Sequence, residues 1–173
     1  MDGLNLGSLL LRVILAVVMF AHGYNHVFNG GKLPGVARWF GSLGFRAPRL
    51  QAALASYTEL GVAPLLLAGL LTPLAAAGVV GTMTVALVAN HFKNGFFIFR
   101  PGEGYEYVLT LILAALALGA LGGGEWSLDD VFDLTDDLSG GFGLGVTAGA
   151  GIGLGAVVLL LFWRPQPKEK AAA

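Results

Sequence analysis

The amino-acid sequence predicts an all-α protein that crosses a lipid bilayer several times. Of its 173 residues, 55% are hydrophobic and only 12% are charged, which leaves too few polar side chains to cover a water-soluble globule. Five apolar stretches approach the ~20 residues that a helix needs to cross about 30 Å of hydrocarbon. The chain is therefore expected to form a polytopic bundle of transmembrane helices embedded in a bilayer.

The apolar stretches divide the chain into helices and connections. The expected helices cover residues 4–28, 52–71, 74–92, 105–121 and 142–163. Helices two and three are separated by so few residues that they must run antiparallel. The connection 29–50 is rich in glycine, proline and basic residues, so it is expected at the membrane surface, either with a short helix around residues 36–43 or as a plain connector.

The charged residues outside the helices are segregated. With five spans, the connections after helices one and three and the tail 164–173 share one side and carry nine of the ten Lys and Arg residues. The segment 122–141 falls on the other side with six acids and no base: Glu125, Asp129, Asp130, Asp133, Asp136 and Asp137. Its spacing lacks the glycine of a calcium-binding EF-hand, so a solvated acidic loop is expected. The positive-inside rule predicts a cell-membrane protein with its N-terminus outside and its C-terminal tail in the cytoplasm.

Ionisable side chains inside the apolar helices are the candidate functional residues. A charge at the bilayer centre costs roughly 2.5–3.5 kcal/mol, so it requires a partner or a polar cavity. Five such residues fall at one depth in the cytoplasmic half of the first four helices: His22, His26, Glu59, His91 and Glu106. Arg12 lies roughly 15 Å above His22. It is expected to be a structural counter-ion or to extend outward to the interface.

A pocket of histidines and carboxylates beside aromatic side chains suits a quinone headgroup. Quinone carbonyls need hydrogen-bond donors, and quinone reduction needs protons. The rival ligands are a metal ion bound by His22, His26 and a carboxylate, and a haem held between His91 and a histidine of helix one. The chain has no cysteine, so any redox role must use a bound cofactor or a partner protein. No phosphate-binding loop is present, and no nucleic-acid partner is expected.

The fifth helix carries glycines at a strict spacing of four residues. Gly141, Gly145, Gly149 and Gly153 fall on one face and form a flat strip that another helix can approach closely. We call these four residues the glycine strip. It is expected to pack against the chain's own bundle or against a partner subunit.

Several motifs, taken in their order, resemble those of the DoxX/DoxD family of small membrane proteins. They are Arg12 followed by HGYNHVF (22–28), ELG (59–61) leading into LLLAGLLT (65–72), His91 followed by GFF (95–97), YEY (105–107) and WSLD (126–129). This resemblance implies a four-helix membrane domain over residues 1–130. An acidic extracytoplasmic loop (131–141), a fifth transmembrane helix (142–163) and a polar cytoplasmic tail (164–173) then follow. The family usually has Gln-Lys where this chain has Asn25-His26.

The resemblance also implies a function. DoxD-type members are the small subunit of a thiosulfate:quinone oxidoreductase, and other members are thought to act as membrane partners of soluble redox proteins. A quinone-linked or redox-associated subunit is therefore expected, working with other membrane or redox proteins. The positions that match the family motif are Arg12, His22, Glu59, His91 and Glu106. The alternative is a non-catalytic membrane anchor or assembly subunit that binds partners through the glycine strip and the acidic loop.

Overall fold

The computed structural model describes residues 3–165, and all regular structure within them is helical. Seven α-helices occur in this part of the chain: α1 (Gly3–Phe28), α2 (Lys32–Ser42), α3 (Pro48–Ala68), α4 (Thr72–Ala86), α5 (Glu106–Leu121), α6 (Leu128–Val131) and α7 (Gly140–Phe162). Helix α4 continues through a π-helical turn, Leu87–His91, and a 3₁₀ turn, Phe92–Asn94. The expected tail beyond residue 165, with Lys168 and Lys170, lies outside the described residues.

Four helices are long and apolar enough to cross a membrane, namely α1, α3, α7 and α4 with its extension to Asn94. Helix α5 is apolar but has only 16 residues, which is about 24 Å at 1.5 Å per residue. The predicted all-α bundle is confirmed. The boundaries of the second predicted helix are shifted, because Pro48 starts α3 and Gly69, at φ 64°, ends it in a left-handed cap.

Helix α4 lies at the centre of the bundle and packs against α3, α5 and α7, while α1 packs against α3 and α5. The packing face of α7 consists of small residues, including Gly143, Thr147, Gly151 and Gly155. A Cβ atom added to Gly151 would lie 2.6 Å from the Cβ of Val80, so the two backbones approach closely here. This contact requires glycine.

The glycine strip points away from the bundle. All four of its residues are exposed, and a Cβ added to any of them would meet nothing within 4 Å. The expectation that the strip packs against the chain's own bundle is therefore wrong. Packing against a partner subunit stays a prediction.

The two ends of the bundle collect different connections. At one end the first helix meets the acidic segment, where Ser8 Oγ donates to the carbonyl of Gly122 over 2.7 Å. At the other end α2 meets the end of α7, where the backbone N–H of Arg46 donates to the carbonyl of Phe162 over 2.7 Å. The N-terminus and the acidic segment thus share one end, and the basic connections share the other. Which end faces the cytoplasm stays a prediction.

The acidic segment is not solvated throughout, and the expectation is wrong for Asp129. The other five acids are exposed, but Asp129 is 0% exposed. Its Oδ1 accepts from the backbone N–H of Leu71 (2.6 Å), and its Oδ2 accepts from the N–H and the hydroxyl of Thr72 (2.9 and 2.6 Å). Asp129 therefore caps the N-terminus of α4 with both carboxylate oxygens.

Arg12 lies beside this cap. Its side chain is fully buried, its Nη2 donates to the carbonyl of Trp126 over 2.6 Å, and its charge is attracted by Asp129. This placement agrees with a structural counter-ion and not with a side chain that extends outward. The pair links α1 to the acidic segment and, through Asp129, to the turn between α3 and α4.

Candidate functional site

A cavity of about 480 Å³ lies in the half of the bundle that carries the basic connections. Residues of α1, α2, α3, α4, α5 and α7 line it. Four of the five predicted site residues are among them: His22, His26, Glu59 and His91. The lining also includes the aromatic residues Trp39 and Phe40 of α2. Residues far apart in sequence therefore meet around one space inside the bundle.

The central contact of the cavity joins α1 to α3. His26 Nδ1 lies 2.9 Å from Glu59 Oε2, and Glu59 is only 4% exposed. The helices come this close because residue 23 is a glycine: a Cβ there would lie 2.8 Å from the Cγ of Leu60 and 3.0 Å from the carbonyl oxygen of Ser56. The carboxylate inside an apolar helix is thus compensated by an imidazole.

This pair is close but incompletely bonded. The two atoms are at ion-pair distance, yet they do not meet in hydrogen-bond geometry, and neither has another hydrogen-bond partner among the described residues. Buried ionic groups are well stabilised only when hydrogen bonds satisfy their remaining lone pairs and protons. His26 and Glu59 therefore keep hydrogen-bonding capacity that a bound molecule can use.

Gln51 is a cavity residue that the sequence reasoning missed. It is 3% exposed, lines the cavity, and its Nε2 has no hydrogen-bond partner within residues 3–165. An unsatisfied buried donor costs about 1–3 kcal/mol, so a ligand that accepts from it gains a strong contact. The available signal is the spacing: Gln51 and Glu59 are eight residues apart and share a helix face, but the predicted helix began only at residue 52.

His22 and His91 occupy the rim of the cavity. The His22 ring is exposed and stacks on the ring of Tyr107, with centroids 6.2 Å apart, and its centroid is also 6.2 Å from that of His26. His91 ends the π-helical turn, and its Nδ1 lies 3.0 Å from the carbonyl oxygen of Glu103. Such π-turns are frequent at functional sites. Both histidines line the cavity, and His22 lies next to His26 of the buried pair.

Glu106 does not line the cavity. Its carboxylate accepts from the backbone N–H of Ile98 over 3.2 Å and so holds the connection between α4 and α5. The prediction that placed Glu106 at the right depth did not determine its direction around the helix. In the structure it therefore lies apart from the cavity that the other four predicted residues line.

The metal alternative needs three ligands in one place. Among the residues that the structure describes, no group of three or more His, Asp or Glu side chains is arranged to hold a metal ion. His22 and His26 are on one face of α1, with ring centroids 6.2 Å apart and ring planes at 81°. A metal ligand set stays an alternative that the structure does not test.

A comparison with known families gives an independent result. The family model DoxX matches residues 7–92, about half of the chain, from the first turns of α1 to the end of the π-turn. The matched region contains the buried pair, Gln51 and both rim histidines. The motifs YEY (105–107) and WSLD (126–129) lie outside it. No curated protein and no solved structure matches the chain.

Proposed function

The chain belongs to the DoxX family of membrane proteins, and on that premise we propose that it is a membrane subunit of a redox complex that binds a quinone headgroup. The observation that carries the proposal is the set of buried polar atoms around the cavity that lack full partners: Gln51 Nε2, His26 Nδ1 and Glu59 Oε2. A volume of about 480 Å³ falls within the range of small-molecule sites.

Quinone chemistry matches these groups. A quinone carbonyl oxygen accepts hydrogen bonds, and both Gln51 Nε2 and a protonated His26 can donate to it. Reduction of the quinone to the quinol takes up two electrons and two protons. A proton can pass between His26 Nδ1 and Glu59 Oε2, because the two atoms are 2.9 Å apart. The electrons come from a reduced partner protein, since the chain has no cysteine of its own to oxidise.

A second candidate function is that of a non-catalytic anchor. The glycine strip on α7 supports it, because exposed small residues at four-residue spacing let a second transmembrane helix approach closely. In this case the partner would bind to the outer face of α7, and the cavity would have no part in turnover.

Quinone titration of the purified chain in nanodiscs tests the proposal. Gln51→Ala and Glu59→Gln are each expected to weaken binding roughly three- to tenfold, which corresponds to one lost hydrogen bond of about 0.5–1.5 kcal/mol. Ser56→Ala is the matched control, because Ser56 is buried on the same helix but bonds only to the carbonyl of Ala52 and does not line the cavity. Absence of quinone binding by the unmodified chain would refute the proposal and favour the anchor. Equal affinity in all three variants would refute the assignment of the site.

A further inference from the structure

We infer that the cavity admits its ligand sideways from the bilayer, between α3 and α7, so that the substrate is a quinone with a long apolar tail. The inference rests on the proposed quinone function and names the substrate class of the same site. It comes from the lining residues that are also exposed, because they mark where the cavity reaches the surface. Two groups of them differ in chemistry. The exposed lining residues are His22, Asn25, Trp39, Leu54, Glu103, Tyr107 and Leu154.

The first opening is apolar and lies between α3 and α7. Leu54 of α3 and Leu154 of α7 both line the cavity, and they are 48% and 66% exposed. Thr58 and Val158, on the same two helices, also line the cavity. We call these four residues the apolar mouth. Both helices pack against α4, whose residues Gly78 and Gly81 also line the cavity.

The apolar mouth lies at membrane depth. Leu54 is six residues inside the start of α3 and Leu154 is eight residues before the end of α7, which corresponds to about 9 and 12 Å of helix. Below it, Phe40 of α2 and Phe45 pack with Ala89 into an apolar cluster that also includes residues of α3 and α7. The bundle is therefore closed toward its basic end at this side, and the mouth faces the acyl chains.

The second opening is polar. His22, Asn25 and Glu103 line the cavity and are exposed, and His91 lies beside Glu103. We call these four residues the polar mouth. It adjoins the connection between α4 and α5 at the basic end of the bundle. It gives water and protons a route to the buried pair. Its exposed aromatic surface is that of Tyr107, which lines the cavity and stacks on His22.

The two mouths define the orientation of the substrate. Exposing a hydrocarbon tail to water opposes binding in proportion to the apolar area exposed. A tailed quinone therefore binds with its headgroup at Gln51, His26 and Glu59 and its tail in the apolar mouth. A quinone without a tail can enter through either mouth. Narrowing the apolar mouth is therefore expected to weaken the binding of a tailed quinone more than that of a tail-less quinone.

The test uses two probes with one headgroup: a quinone with a long polyisoprenoid tail, and the analogue with a methyl group in place of the tail. In the intact chain in nanodiscs, the double variant Leu54→Trp/Leu154→Trp is expected to weaken binding of the tailed probe by roughly tenfold or more and that of the tail-less probe by less than about twofold. Leu160→Trp is the control, because Leu160 is 73% exposed on α7 and does not line the cavity. Unchanged affinity for the tailed probe, or an equal loss for both probes, would overturn the inference.

A second measurement needs no variant. A tailed quinone with a photoreactive group in its tail is expected to crosslink to peptides of α3 and α7 around the apolar mouth in the unmodified chain. Crosslinks to the connection 92–105 instead would overturn the inference even though quinone binding stands. If the unmodified chain binds neither probe, the proposed function itself fails. The two failures are thus distinguishable.

Discussion

Replacing Asp129 by alanine is expected to destabilise the bundle strongly, although the residue lies in a segment of otherwise exposed acids. The substitution removes three buried hydrogen bonds, to the N–H of Leu71 and to the N–H and hydroxyl of Thr72. It also removes the negative charge that attracts the buried guanidinium of Arg12. Two effects therefore act together. Helix α4 loses its N-terminal cap, and the buried positive charge of Arg12 loses the negative charge that attracts it.

The size of the effect follows from these contacts. Loss of a helix N-cap costs about 0.5–2 kcal/mol. Each hydrogen bond to a charged group contributes about 1.5–3 kcal/mol, and Asp129 accepts three of them. These contributions overlap, since one carboxylate supplies all of them, so we expect a loss of about 3–5 kcal/mol in the free energy of unfolding. Asp129→Asn keeps an acceptor for the cap and is expected to cost less.

Reversible unfolding in mixed detergent micelles, followed by circular dichroism, measures these differences. Asp137→Ala is the control, because Asp137 is an exposed acid of the same segment and is expected to change stability by less than about 0.5 kcal/mol. The double variant Arg12→Met/Asp129→Asn is expected to lose less free energy of unfolding than the two single variants lose together, because it leaves no buried charge without an opposite charge. If Asp129→Ala behaves like Asp137→Ala, or if the cycle is additive, the proposed coupling is wrong.

Three further predictions address other parts of the chain. Gly151→Leu is expected to lower the folded yield sharply, because its Cβ would lie 2.6 Å from a valine of α4, whereas Gly149→Leu, with nothing within 4 Å, is expected to fold normally in size-exclusion assays. In whole cells a membrane-impermeant thiol reagent is expected to label Asp137→Cys but not Arg46→Cys, and the reverse pattern would refute the positive-inside orientation. Glu106→Ala is expected to leave quinone affinity within about twofold while speeding hydrogen exchange of the loop amide that it accepts, and a large affinity loss would return it to the site.

The architecture and part of the site could be predicted from the sequence. Apolar length located all four helices that are long enough to span, because a membrane span must satisfy its backbone internally and exclude charge. The depth argument paired residues of different helices, and it brought His26 and Glu59 to the same level. In the structure these two side chains lie 2.9 Å apart, as expected where an intramembrane carboxylate needs a partner nearby. The depth of a residue in the membrane follows from its position along its helix, which can be counted from the sequence.

Direction around a helix could not be predicted so well. The glycine strip and the residues Gly143, Thr147, Gly151 and Gly155 both repeat every four residues, and they are offset by two, which is about 200° around the helix. Spacing alone therefore shows that two small faces exist, but not which one meets α4. The direction of Glu106 around α5 could not be predicted for the same reason. The burial of Asp129 could not be predicted for a different reason. It depends on the acidic segment folding back onto the turn between α3 and α4, which local sequence does not encode.

Two sets of buried charged groups lie at opposite ends of the bundle, and their position relative to the cavity separates their roles. Both oxygens of Asp129 accept hydrogen bonds, and Arg12 lies against Gly69 and outside the cavity, although its Nε and Nη1 have no hydrogen-bond partner among the described residues. His26 and Glu59 line the cavity, as does Gln51, and each of these three side chains keeps a polar atom without a hydrogen-bond partner among the described residues. Only unmet groups that border the cavity can be satisfied by a molecule bound in it, since each unmet buried donor or acceptor costs free energy. We therefore expect substitutions of Arg12 and Asp129 to change the free energy of unfolding more than ligand affinity. Substitutions of His26 and Glu59 are expected to change ligand affinity more than the free energy of unfolding.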